Sequence, residues 1–229
     1  MAEMSFGEIE RTGWNRRAAD YAEVMLPSTG QAIAPLLDSL GDLRGARLLE
    51  VASGTGHLAE AAAGRGAIVT GIDVAANMVA LARTRAPEAR FEEGDAEALR
   101  FEDGCFDAVA CSFGLVHLER PAKGIEEAAR VLKPGGRLAF TGWYAPDQGN
   151  AFLGLITDAY AAHAELDVGL PPASPLTLLS EAAARDPMLA AAGFTAIRAR
   201  DLDIVWPVAG PETVIEFLEK GSVRSSMIY

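Results

Sequence analysis

From Arg47 onward, the short apolar and β-rich runs RLLEV, AIVTGID, ARFEE, CFDAVACSF and RLAFTGW alternate with segments whose apolar positions recur every three to four residues. That rhythm predicts βαβ units: an α/β fold with a doubly wound, mostly parallel sheet and helices on both faces. Met78, Leu81 and Ala82 line one face of AANMVALARTR, and Ile125, Ala128, Ala129 and Leu132 line another helix. Ahead of the first strand, WNRRAADYAEVML and QAIAPLLDSL read as two helices broken at Pro27 and Ser28, with Ile33, Leu36, Leu37 and Leu40 at helical spacing.

Residues 144–180 interrupt the alternation with a helix-like stretch from Asn150 to Ala164 and a proline-rich loop, VGLPPASPL. MLAAAGF then ends a helix at Gly193, TAIRARDLDIVW alternates as a half-exposed sixth strand, and a short helix runs from Pro211 to Lys220.

A chain of 229 residues with half of them apolar is long enough to bury one core, and it is read as a single domain. No run approaches the length of a membrane span, and MAEMSFGEIE carries acids where a signal peptide would be basic, so a cytoplasmic protein is expected. The net charge of −12 repels phosphate backbones and anionic lipid, which argues against nucleic-acid and membrane partners. Cys105 and Cys111 lie on one strand, roughly 20 Å apart at about 3.3 Å per residue, too far for a disulfide and without the spacing of a zinc site. No metal is expected.

The most informative segment is LLEVASGTGHLAE, a buried strand, a small-residue loop and a helix beginning after Gly56. Gly54 and Gly56 lack the Cβ atoms that would keep a ligand from the backbone, and the helix N-terminus offers free N–H groups. Gly54, Gly56 and Ala59 also satisfy the G-x-G-x-x-A spacing of a dinucleotide site, which keeps a nicotinamide-dependent NAD(P) oxidoreductase open. Glu50, ending the strand, weighs against it, because a carboxylate there repels a pyrophosphate and suits an ammonium. Asp73, one βα unit later, is placed to bond ribose hydroxyls or to cap the following helix.

With these residues in order, the sequence resembles the class I S-adenosylmethionine-dependent methyltransferases from about Trp14 to Trp206. EVASGTG looks like their first motif, GIDVAANMVALAR like the second, EEGDAEALRF like the third, CFDAVACSFGLVHLERP like the fourth and VLKPGGRLAF like the fifth. Small-molecule enzymes of the ubiquinone-biosynthesis type are the nearest likeness. The resemblance implies a Rossmann-like sheet, with residues 1–44 as a helical lid, 45–143 as the cofactor half, 144–180 as a substrate lid and 181–229 as a C-terminal half. It implies S-adenosylmethionine as cofactor and a small-molecule acceptor with an oxygen, nitrogen or carbon nucleophile. A protein that binds S-adenosylmethionine without turnover remains the other alternative.

Position by position, the likeness puts Glu50 and the backbone of Ala52, Ser53, Gly54 and Gly56 around the methionine part and Asp73 on the ribose. Val74 and Met78 would flank the adenine, the Asp95 carboxylate and Ala96 N–H would read its edge, and Ser112 and Phe113 would floor the sulfonium. The family's first glycine is Ala52 here, which is tolerable if that residue keeps a negative φ. Trp14 and Tyr21 would lie over the cofactor, or else anchor their helix to the sheet. Methyl transfer needs alignment and dryness, and a base only for a hydroxyl acceptor. His117, after the fourth strand, is the candidate catalytic base, and His57 and His163 read as structural or exposed. Tyr144, Phe152 and Trp206 are candidate acceptor walls. The family closes its sheet with a last antiparallel strand. GSVRSSMIY lacks strand alternation, and its Val223 and Met227, four apart, continue a helix, so that strand is expected to be missing, leaving six strands.

Overall fold

Alternation along the strands puts Leu48, Val69, Phe91, Ala108 and Ala110 on one face of the sheet and Leu49, Val51, Ile72, Val109 and Cys111 on the other, and both sets are buried. The computed structural model describes residues 4–163 and 174–225. Its strands are β1 (Arg47–Val51), β2 (Ile68–Asp73), β3 (Arg90–Glu93), β4 (Phe106–Cys111) and β5 (Leu132–Phe140). They pair in parallel in the order β3-β2-β1-β4-β5.

Helices α3 (Ile33–Leu40), α4 (His57–Gly64) and α5 (Ala76–Arg85) cover the first face, burying Leu36, Leu37, Leu58, Ala62, Val79 and Ala82. Helix α6 (Pro121–Val131) covers the second with Ile125, Ala128 and Val131, joined by Leu189 of α8 (Ala182–Ala191). Each large side chain so buried contributes about 1.5–3 kcal/mol. Among the described residues no helix is long and apolar enough to cross a membrane.

The N-terminal segment forms α1 (Phe6–Val24), opened by a Ser5–Glu8 capping box, and then a short α2 (Leu26–Thr29). The break falls at Met25, not at Pro27 and Ser28. Proline is tolerated in a first helical turn, where its missing N–H has no helical partner, so Pro27 starts α2 instead of stopping α1. Helix α1 docks on the start of α5, where Asn77 N–H donates to Asn15 Oδ1 at 2.9 Å and Asn77 Nδ2 to the Asn15 carbonyl at 2.9 Å.

The sheet has five strands among the described residues, not six. Residues 201–206 do alternate between exposed and half-buried positions, as the sequence leads one to expect. They pair with no strand, however, because a side chain takes the place of a neighbour: Gln31 Oε1 accepts the Val205 N–H at 3.1 Å, and Gln31 Nε2 donates to the Val205 carbonyl at 2.8 Å. Arg200 Nη2 donates to the Pro35 carbonyl at 2.7 Å, fixing the same segment along α3. Alternation reports a two-sided environment and not a ladder.

The chain continues through α7 (Ala151–His163), α9 (Pro211–Glu216) and a π-helical turn, Phe217–Gly221. That turn does not run on unbroken past Gly221, since Ser222 turns to extended backbone at φ −145°; Ser225 is helical again, and Met227 lies outside the described residues. Residues 222–225 form no strand, and 226–229, like most of VGLPPASPL, lie outside the described residues. Val223 is 2% exposed and fills the notch left by Gly13 on α1.

A Cβ at Gly13 would lie 2.4 Å from Val223 Cγ1. Alanine at a helix interior normally stabilises by up to ~1 kcal/mol relative to glycine. Here overpacking reverses the sign, and Gly13→Ala is expected to cost ~1–3 kcal/mol in denaturant unfolding, with Val223→Ala in the same chain recovering most of the loss.

Candidate active site

Two carboxylates end adjacent strands and are both buried: Glu50 on β1 is 2% exposed and Asp73 on β2 is 7% exposed. In the ladder Glu50 stands opposite Gly71 and Ala110. Asp73 ties the two following loops together. Its Oδ2 accepts the Gly54 N–H at 2.8 Å and its Oδ1 accepts the Ala75 N–H at 2.9 Å. The Ser53 N–H donates to the Ile72 carbonyl at 2.9 Å, so the glycine loop is strapped to the end of β2 at two successive residues.

The glycines serve different ends. Gly56, at φ +85°, lets α4 press on α5, because a Cβ there would lie 2.9 Å from Ala82 Cα. Gly54, at φ +52°, faces open space, with nothing within 4 Å of an added Cβ.

Ala52 corrects the sequence expectation. Its φ is +52°, not negative, which costs an L-residue roughly 1–2 kcal/mol. Phe113 after β4 is likewise left-handed at φ +58°, and these are the non-glycine residues at positive φ among those described. The two loops touch through Gly114, where an added Cβ would fall 2.4 Å from Ala52 Cβ and 2.9 Å from Cys111 Sγ. The Phe113 N–H donates to Thr141 Oγ1 at 3.0 Å.

Burial pushes the Glu50 carboxyl well above the usual carboxylate range and the neighbouring Asp73 charge adds to it, against the one opposing bond from the Ala59 N–H. Burial also raises Asp73, opposed by the Ala75 and Gly54 N–H groups. Glu50 Oε2 and Ser53 Oγ are buried and meet no hydrogen-bond partner among the described residues. The Cys111 thiol is pushed up to about 12 by burial, which makes it inert.

The remaining expected residues fall around this centre. Met78 is buried against Ala18 and Ala75, beneath Trp14 and Tyr21, so the two aromatics anchor α1 on α5. The rings of Trp14 and Tyr21 meet edge to face at 5.8 Å. Burial raises the Tyr21 hydroxyl; a bond to the Thr29 side chain opposes it, while the Asp73 and Glu50 charges add to the rise. Val74 and Ser112 are half-buried. Asp95 is exposed and its Oδ1 accepts the Glu97 N–H at 2.8 Å, while Ala96 is buried. Glu97 in turn pins this loop to the start of α6 through the Arg120 N–H at 2.9 Å and Arg120 Nε at 2.8 Å.

His117 closes the 3₁₀ turn Leu115–His117, and its Nδ1 is 3.0 Å from Glu10 Oε2 on α1. His57 pairs locally with Thr55 Oγ1 at 2.9 Å. The side chain of His163 lies outside the described residues. Phe113 stacks on Trp143 at 4.2 Å, Trp143 meets Trp206 at 5.5 Å, and Trp206 stacks on Phe152 at 4.3 Å. Phe217 packs edge-on against Trp206 and Phe152. Phe152, Trp206 and Phe217 line a cleft of about 90 Å³ with Val24 and Pro27. Tyr144 stands apart, exposed, with its hydroxyl donating to Asp201 Oδ1 at 2.5 Å.

Sequence reasoning missed Glu10, Trp143, Phe217 and Arg224. Glu10 carries a signal in retrospect: it stands four residues before Trp14 on one helix face, and Trp14 Nε1 donates to its Oε2 at 2.8 Å. Arg224 carries none, because nothing local marks a contact with residue 10.

Two outcomes follow from this geometry. Gly114→Ala is expected to lose ~1–3 kcal/mol of stability to overpacking, with Ala52→Gly in the same chain restoring part of it. Glu50 is neutral in both states below its unfolded pKa of about 4.3, and above that the unfolded chain ionises first, so stability falls as pH rises toward the raised folded value. Glu50→Gln removes that loss, and the ligand-free variant is expected to melt higher than wild type at pH 7 but not at pH 4 in scanning calorimetry.

A methyltransferase-domain family matches residues 49–140, the span from β1 to β5. A demethylmenaquinone methyltransferase of Thermus thermophilus is 40% identical over 163 residues, covering 69% of this chain and 64% of that one. A ubiquinone biosynthesis O-methyltransferase of Paracidovorax citrulli is 40% identical over 111 residues, covering 46% of this chain and 47% of that one. The chain spans about half the length of most of the curated relatives it matches. The structure of an S-adenosylmethionine-dependent methyltransferase of Thermotoga maritima, titled a possible histamine N-methyltransferase, superposes with a TM-score of 0.59 at 23% identity over 81% of each chain, which shows the shared fold. The strand order, the glycine loop between two buried acids and these matches agree that residues 49–140 form a methyltransferase domain.

Proposed function

We propose that this protein transfers the methyl group of S-adenosylmethionine to a small, planar aromatic or quinone-like acceptor. The observation that carries the cofactor half of this reading is the pair of buried acids, with Glu50 Oε2 and Ser53 Oγ unsatisfied beside a glycine loop open at Gly54. An ammonium and neighbouring polar atoms of the methionine moiety would satisfy both orphans, and Asp73 keeps lone pairs for ribose hydroxyls. A nicotinamide dinucleotide would instead bring its pyrophosphate to a doubly acidic loop. Asp95, Ala96 and Val74 would hold the adenine, as the family likeness implies.

The acceptor class rests on the aromatic run from Phe113 through Trp143 to Trp206 and Phe152, which starts one residue from Gly114 at the loop contact and ends at the cleft. Flat aromatic walls favour a flat ligand by offset stacking. The names of the quinone-methylating relatives agree with this choice. In this reading the bound cofactor supplies an electrophilic methyl group, while the chain aligns the acceptor and excludes water. The described parts of the expected lids, residues 4–44, 144–163 and 174–180, would serve as the covers of the site. The net charge of −12 supports an enzyme that leaves nucleic acids alone.

Isothermal calorimetry with S-adenosylhomocysteine tests the reading. The expected dissociation constant is low micromolar or tighter, near −8 kcal/mol or beyond, i.e. about −8 kcal/mol at 1 µM. Asp73→Ala is expected to weaken binding by ~1–3 kcal/mol. Glu50→Gln is expected to weaken it by at least about tenfold, although that substitution stabilises the ligand-free chain. Tight NADH binding with no response to S-adenosylhomocysteine would overturn the assignment.

A further inference from the structure

Glu10 is a buried charge outside the two site acids that joins parts of the chain far apart in sequence. It sits on α1 with its side chain 4% exposed, and besides Trp14 on its own helix it meets residues from two distant segments. Its Oε2 accepts from Trp14 Nε1 at 2.8 Å and lies 3.0 Å from His117 Nδ1. Its Oε1 lies 3.5 Å from Arg224 Nε in the C-terminal segment. Arg224 is itself fixed, donating to the Ser174 and Val116 carbonyls at 2.9 and 3.3 Å and lying over the Phe6 ring. Burial works to raise the Glu10 carboxyl, but the bond to His117, the Arg224 charge and the bond to Trp14 outweigh it and hold the group below the ordinary range. It is therefore a carboxylate, and a carboxylate only accepts.

His117 consequently donates through Nδ1, and a neutral imidazole that carries its proton on Nδ1 leaves Nε2 bare. The Trp14 ring, edge-on at 5.1 Å, fixes the plane of the imidazole. His117 ends the turn that begins at Gly114, the residue packed on Ala52 of the glycine loop, and its side chain is 21% exposed. The other charges that bear on this pair are Asp73 from β2 and Arg17 from α1.

We propose that Glu10 is a positioning residue that locks His117 in the Nδ1–H tautomer, so that Nε2 takes the proton of a hydroxyl acceptor during methyl transfer. This rests on the methyltransferase reading above. The step balances: the acceptor O–H bond breaks with its proton going to Nε2, an oxygen lone pair forms the new C–O bond, and the carbon–sulfur pair stays on sulfur. The imidazolium left behind is compensated by Glu10. Because Glu10 rides on α1, the base is set only while that helix is docked, which ties closure of the N-terminal cover to readiness for proton transfer.

Long-range ¹H–¹⁵N spectra of the full chain at pH 8, without cofactor, read the tautomer directly, the three histidine signals being assigned with His117→Asn and His57→Asn. The expected wild-type result is a protonated Nδ1 and a bare Nε2 at His117. In Glu10→Ala the Nδ1–H form is expected to fall below about half, the free imidazole preferring its proton on Nε2, and Glu10→Asp is expected to restore it in part. A wild-type His117 protonated on Nε2 overturns the proposal whether or not the variants fold, as does a Glu10→Ala spectrum unchanged at His117. A wild-type chain that binds no S-adenosylhomocysteine overturns the methyltransferase reading and the proposal with it. The two failures are told apart because the tautomer is measured without cofactor.

Discussion

Everything at this site depends on two carboxylates held out of water at the ends of neighbouring strands. A buried ionised acid without a partner is costly, and two side by side repel as well. The fold offsets this for Asp73 with two backbone N–H bonds, from Gly54 and Ala75. For Glu50 it supplies the Ala59 N–H and leaves Oε2 unmatched. The imbalance sits at the point where β1 and β4 diverge from the switch in strand order, the place where ligands of open α/β sheets bind. Burying Glu50 costs stability above its unfolded pKa, and a cation beside it would offset that cost.

The same loop is also strained in its backbone. Ala52 and Phe113, left-handed and on opposite sides of the β1–β4 seam, meet at Gly114. Each loop holds the other's strained residue in place. The Ala52 methyl occupies the space that Gly114 vacates, and Phe113 is secured from outside by Thr141 and the Trp143 ring. Strain of a few kcal/mol in total persists because contacts from β5 and its following residues overdetermine the turn.

Around this centre the covers are fastened by contacts between residues far apart in sequence. Asn15 bonds Asn77, Gly13 receives Val223, and Glu10 joins His117 to Arg224. All three involve one helix turn or two of α1, so a single rigid element conveys the position of the C-terminal segment to the loop after β4.

The sequence by itself determined the α/β class, the five strands from Arg47 onward, the glycine loop and its flanking acids. Those features are local: side-chain period, small residues at fixed offsets and an acid at the end of each strand are written within a few residues of one another. It also marked the alternation of residues 201–206, but alternation is a statement about two environments. Whether a strand partner lies alongside is a tertiary fact, and here Gln31 took that role. The sign of φ at Ala52 was likewise undecided by its identity, because the left-handed turn is imposed by its packing on Gly114. So was the partner of His117. A histidine's usable nitrogen depends on what the other nitrogen meets, and only the docking of α1, more than a hundred residues earlier in the chain, brought Glu10 to it.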